Sequence, residues 1–231
     1  MKTITCSKLV SGLAIVTLLV ALTGCATANY EKGAGTSAGL TKAADQIALC
    51  NDKVDATLAA LNDMVENPQG DLVAKYGKFN GAVNDLLSTV KNVTAQVSEL
   101  GVTGGEYFKA WDKQLALIQD PDIQIRSAQR MAEVEKQFDE IQKHFSYVAG
   151  AFQPFVSYLK DIQLALSTDL TVGGIASVKN AVEQADVKAH PLKNSVSKLV
   201  TQYRELGLAM ASSTPLPQDA SEPPAAAAKP E

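Results

Sequence analysis

The 231 residues carry 46% hydrophobic and 20% charged side chains, with a formal charge of -4. Such a composition belongs to a folded chain, and the length suits one domain with flanking segments. The acidic balance excludes the basic footprint of nucleic-acid binding.

The chain begins with Lys2 and Lys8, followed by an uncharged, mostly apolar run from Leu9 to Leu22. As a helix that run would span about 21 Å, short of a hydrocarbon core of roughly 30 Å. A basic start, a short apolar run and small residues at its end predict a secretory signal peptide over residues 1–24. Leu22-Thr23-Gly24-Cys25 resembles the lipobox of bacterial lipoproteins. The resemblance implies cleavage before Cys25, acyl chains on Cys25 and a partnership with the membrane through them. Each buried CH₂ contributes about 0.8 kcal/mol, so several long chains make a lasting anchor. Ala26, in place of the Asp typical of lipoproteins retained in the inner membrane, implies the outer membrane, facing the periplasm. Loss of Lys2 and Lys8 takes the 21 basic residues to 19 against 25 acidic. Cys6 leaves with the signal, so Cys50 is the one free thiol expected in the mature chain, and no internal disulfide can form.

Residues 25–39 hold the lipidated cysteine and a glycine-containing segment with little apolar pattern, predicted to be a flexible leash reaching about 20 Å. Gly33, Gly35 and Gly39 follow no strand and have the wrong spacing for a dinucleotide fingerprint. From Thr41 the pattern turns helical. Ile47, Val54 and Leu61 recur every seven residues, and Asn67-Pro68-Gln69-Gly70 ends that helix. Asp71 is suited to cap the next. Its seam of Leu72, Tyr76, Phe79, Val83, Leu86, Val90, Val93, Val97 and Leu100 alternates steps of four and three, the rhythm of a coiled coil. Gly101, Gly104 and Gly105 predict its end, with a short helix over 105–119 carrying Tyr107, Trp111 and Leu115. Asp120-Pro121 reads as a cap with proline at the first helical position. The helix predicted over 122–167 carries a second long seam from Met131 to Leu166. Its charges vanish between Phe145 and Leu159, and Gly150 and Pro154 predict a kink. A short helix is predicted over 174–185, and His190-Pro191 is read as opening the last, over 191–211. Residues 212–231, rich in Pro and Ala, carry no seam and are predicted to be disordered or extended.

No catalytic constellation emerges. Glu140 and His144 share a helix face, but the paired Glu-x-x-His sets of a di-iron bundle are missing, as are the cysteines of a zinc site. No Gly-x-Ser-x-Gly elbow occurs. Cys50 lies on an apolar stripe, where packing is the default role. Glu133 and Glu135 belong to a charged helix surface. No metal, cofactor or enzymatic activity is expected. The candidates for binding are aromatic: Trp111, which with Tyr107 suits an interface, and Phe145, Tyr147, Phe152, Phe155 and Tyr158 in the uncharged segment. That segment is either covered by other helices or contacts something apolar.

Three segments, "GDLVAKYGKFN" (Gly70 to Asn80), "FKAWDKQL" (Phe108 to Leu115) and "PFVSYLKDIQLALSTDLTVGGIASV" (Pro154 to Val178), resemble a bacterial family catalogued as domain of unknown function 2959. The resemblance covers about residues 40–211. It implies helices and export, and supplies no functional residues.

The expected fold is all-α, an elongated antiparallel helical bundle over residues 40–211 with coiled-coil-like seams. The leading expectation for function is a membrane-anchored periplasmic lipoprotein, an adaptor or structural component of the cell envelope, meeting an envelope protein or another copy of itself. The alternative is a carrier or sensor of an apolar ligand held inside the bundle.

Overall fold

The computed structural model describes residues 13–211, with side chains from Glu31 onward. Residues 1–12 of the expected signal peptide and the tail 212–231 lie outside the described residues. Four helices follow one another: α1 (Leu13–Glu66), α2 (Leu72–Leu115), α3 (Pro121–Thr168) and α4 (Val172–Met210). Among the described residues there is no strand. The 44 residues of α2 and 48 of α3 make rods of about 66 Å and 72 Å. α1 packs on α2 and α4, and α3 packs on the same two, while the diagonal pairs stay apart. The result is an up-down-up-down antiparallel four-helix bundle, as the seams require.

Each turn is written in local chemistry. Gly70 adopts φ 95°, a left-handed turn that glycine enters without steric cost. Lys75 closes the end of α1, donating to the carbonyl oxygens of Asn67 at 2.8 Å and Asp63 at 3.3 Å. Asp71, Asp120 and Thr171 cap α2, α3 and α4 by accepting from the backbone N–H of Ala74, Ile123 and Gly174. Pro121 sits at the start of α3 as expected. Gly174 has no room for a side chain, since a Cβ there would lie 2.0 Å from the Asp169 carbonyl oxygen.

The seams form the core. Val54, Leu61, Phe79, Val83, Leu86, Leu159, Val196 and Leu199 are fully buried. Ion pairs tie α1 to α2 through Lys53 and Asp85, and to α4 through Arg204–Asp45 and Lys193–Asp55. At such exposure each contributes about 0–1 kcal/mol, so the apolar seams carry the assembly.

Two expected breaks in the helices do not occur, and part of the expected leash is helical. α2 runs unbroken through Gly101, Gly104 and Gly105, so no separate helix exists over 105–119. Gly104 is a packing contact: a Cβ there would stand 2.2 Å from Cζ of Phe138, so the two helices can meet here only at glycine. α4 likewise continues through Pro191, joining the expected short helix over 174–185 to the last one. Pro191 and Val187, the residue whose carbonyl it deprives of a partner, both face solvent, where hydration can offset the lost bond. On α3, where a kink is expected, Pro154 and Gly150 likewise face solvent within one continuous helix. Finally, residues 31–39 of the expected leash are helical and belong to α1. Thr36 and Ser37 are buried, and the Ser37 hydroxyl donates to the Gly207 carbonyl oxygen at 2.8 Å. The glycines there are contact points: Gly33 lies against the Tyr107 ring and Gly39 against Leu100.

Candidate functional site

The uncharged stretch of α3 divides by helical geometry. Phe145, Val148, Phe152, Phe155 and Leu159 face inward and are buried. Tyr147 points outward and is 72% exposed. Tyr158 is half-buried on the flank, with the Lys188 ammonium 5.2 Å from its ring centroid, a cation–π contact between α3 and α4. Trp111 lies far from all of these, near the α2–α3 turn. It packs half-buried beside Tyr107 with ring centroids 5.6 Å apart, and its indole N–H points to Ser127 Oγ at 3.4 Å. The six candidate aromatics therefore do not form one site.

Phe145 and Phe152 do converge, at the middle of the bundle. With Ile47, Cys50, Val93 and Leu199 they line a small, partly open void of about 10 Å³, at the lower limit for one water. Outside it, between α2 and α3, runs an apolar groove of about 790 Å³ that is open to solvent. Phe152 and Val156 form its floor on α3 with Leu87 and Val90 on α2. Its walls are small: Ser88, Ala95 and Ser98 on one side, Ala149 and Gly150 on the other, with Lys91 and Gln153 also lining it. Small walls with a large apolar floor are the chemistry of a helix-accepting groove. From Leu87 to Ser98 it follows α2 for about 17 Å, three helical turns. The α2 wall was not singled out in the sequence. Its signal is a second stripe, 87, 91, 94 and 98, at helical spacing beside the main seam.

Cys50 touches the void but not the groove. Burial pushes its thiol up to about 11, so it stays protonated at neutral pH and is a packing group. His144 shares a hydrogen bond with Gln202 across α3 and α4. His190 is exposed on α4. Glu133, Glu135 and Glu140 are all exposed. Among the described residues no three His, Cys, Asp or Glu side chains gather as a metal site. Also among them, no helix is long and apolar enough to cross a membrane. Cys25 lies on the backbone path of α1, and its side chain is outside the described set.

Fold and groove together define an elongated four-helix bundle with a lateral apolar cleft. The chain belongs to the DUF2959 family, described as a protein of unknown function, whose model matches residues 36–206. The match opens at Thr36, the first buried residue among those described. No curated protein and no solved structure matches the chain.

Proposed function

We propose that this protein is a lipid-anchored adaptor of the bacterial envelope. It is held on the periplasmic face of the outer membrane through acylated Cys25, and it takes an amphipathic helix of another envelope protein into the α2–α3 groove. The role is non-enzymatic. The observation that carries the reading is the groove itself: three turns long, apolar at the floor, small-walled and open along its length. For an apolar ligand held inside the bundle the support is smaller, since the recess lined by Phe145, Phe152 and Cys50 is about 10 Å³. The apolar floor nonetheless favours one second reading, an apolar small molecule lying in the same groove.

Photo-crosslinking in intact cells separates the two. Ala95 and Ser98 line the groove and are exposed, so a benzophenone side chain placed at either reaches the occupant without disturbing the core. The adaptor reading predicts a discrete higher-mass protein adduct from these positions and none from Glu183, on the solvent face of α4. A lipid-sized mass increment would replace it with the carrier reading. Adducts of equal yield from groove and solvent face would count against both.

A further inference from the structure

At one end of the bundle α2 and α3 outrun α4. The contacts of Gly33 with Tyr107 and of Gly39 with Leu100 fix the antiparallel register of α1 and α2. At that level α4 ends: Ser37 bonds to Gly207, and Arg130 donates to the Ala209 carbonyl oxygen at 3.1 Å. α2 continues past Tyr107 for about 12 Å, to Leu115, before the turn to Pro121. The same step of about 12 Å back along α1 from Gly33 reaches Cys25. The α2–α3 turn therefore stands level with the backbone of the anchoring cysteine.

That turn is apolar where it is exposed. Leu117, Ile123 and Ile125 are 63%, 59% and 54% exposed. Ile123 and Ile125 lie about 200° apart around the α3 axis, so no single side of the hairpin presents both. A surface laid across the end of the bundle covers all three. Half-buried Tyr107 and Trp111 follow on α2, the aromatic type that settles at membrane interfaces. Asp112, Asp120 and Asp122 stand there against Lys113 and Arg126, so the tip is close to balanced in charge and suits a zwitterionic lipid surface.

We propose that the α2–α3 turn is a second membrane contact, inserting Leu117, Ile123 and Ile125 into a zwitterionic lipid surface beside the acyl chains of Cys25. Two contacts fix the orientation that one tether leaves free. The bundle stands upright, and the groove begins about 26 Å above the tip, counted along α2 from Leu115 to Ser98. This inference rests on the anchor reading given above.

The test uses the full chain purified from membranes and reconstituted in vesicles of phosphatidylethanolamine and phosphatidylcholine. An environment-sensitive fluorophore is attached at Leu117→Cys, Ile123→Cys, Ile125→Cys or, at the opposite end, Gln69→Cys. Cys50 is buried and does not compete. Brominated acyl chains are expected to quench all three tip probes about twofold or more and to leave the Gln69→Cys probe unchanged. Unquenched tip probes on a chain whose intact mass shows acylated Cys25 would overturn the inference alone. Quenching at Ile123→Cys but not Ile125→Cys, or the reverse, would overturn the end-on geometry. An unmodified Cys25 would overturn the anchor reading and this inference with it.

Discussion

Gly104 and Gly105 are neighbours in the C-terminal third of α2, inside the helix, and helix propensity treats them alike: either changed to alanine should stabilise the helix by about 1 kcal/mol. Their surroundings predict opposite signs. A Cβ on Gly105 meets nothing within 4 Å, so Gly105→Ala keeps the gain. A Cβ on Gly104 meets Cζ of Phe138 at 2.2 Å and both Cε atoms at 2.8 Å. Ordinary contact begins near 3.4 Å, so the ring must retreat by more than 1 Å. It has nowhere to go, being 3% exposed and set edge-on to Phe108 with centroids 5.6 Å apart. Overpacking of this kind costs about 1–3 kcal/mol, and a lost aromatic pair adds about 0.5–1.5 kcal/mol. After subtracting the propensity gain, Gly104→Ala should lose about 0.5–3.5 kcal/mol. For a domain of this size that lowers Tm by about 1–14 °C, while Gly105→Ala raises it by about 2–4 °C. Thermal melts followed by circular dichroism at 222 nm measure both. Shifts of the same sign would refute the assignment of Gly104 as the contact between α2 and α3.

Three further outcomes follow from buried or capped groups. The Tyr203 hydroxyl is buried without a hydrogen-bond partner among the described residues, so Tyr203→Phe should stabilise the chain by about 1 kcal/mol. A loss of stability in denaturant titration would reveal a hidden partner. Cys50, with its thiol pushed up to about 11, should resist iodoacetamide at pH 8 in the native chain and react readily in urea; rapid native labelling would contradict its burial. The Asp63 carboxyl is held below the usual carboxylate range, first by the hydrogen bond from Lys75 and then by that from Asn67. The fold therefore favours the ionised form, and its contribution is present above the unfolded carboxylate range and lost as pH falls through the native value. The Tm difference between wild type and Asp63→Asn should shrink as acid is added below about pH 4. A difference that is flat or growing there would show that the pair with Lys75 has no such role.

What could be read from the sequence was whatever repeats along a helix. The four-three steps from Phe79 to Leu100 and from Val134 to Leu166 identified the core side chains, because only burial gives apolar residues that spacing. The caps at Asp71 and Asp120 were equally legible, since their chemistry is local. Helix continuity was not. Gly104 has the same local preference whether it ends a helix or lets Phe138 approach, and only the partner helix decides. Gly33 and Gly39 were read as a leash for the same reason, their partners Tyr107 and Leu100 being remote in sequence. The groove was half visible. Phe152 stood out as an aromatic in an uncharged segment, whereas Ser88, Ala95 and Ser98 look like an ordinary solvated face until α3 is set beside them. Trp111 drew notice by residue type and Tyr158 by its place in the uncharged segment, and the structure gives them separate packing roles.

Orientation, tip insertion and the adaptor reading all depend on one sulfur. Cells expressing the chain can be fed an alkyne-bearing palmitate, fractionated and stained by cycloaddition, with Cys25→Ser as comparison. The account predicts label on the wild-type chain in the outer-membrane fraction, and a Cys25→Ser chain that carries none. A wild-type chain recovered unlabelled among soluble periplasmic proteins, or label persisting on Cys25→Ser, would contradict it.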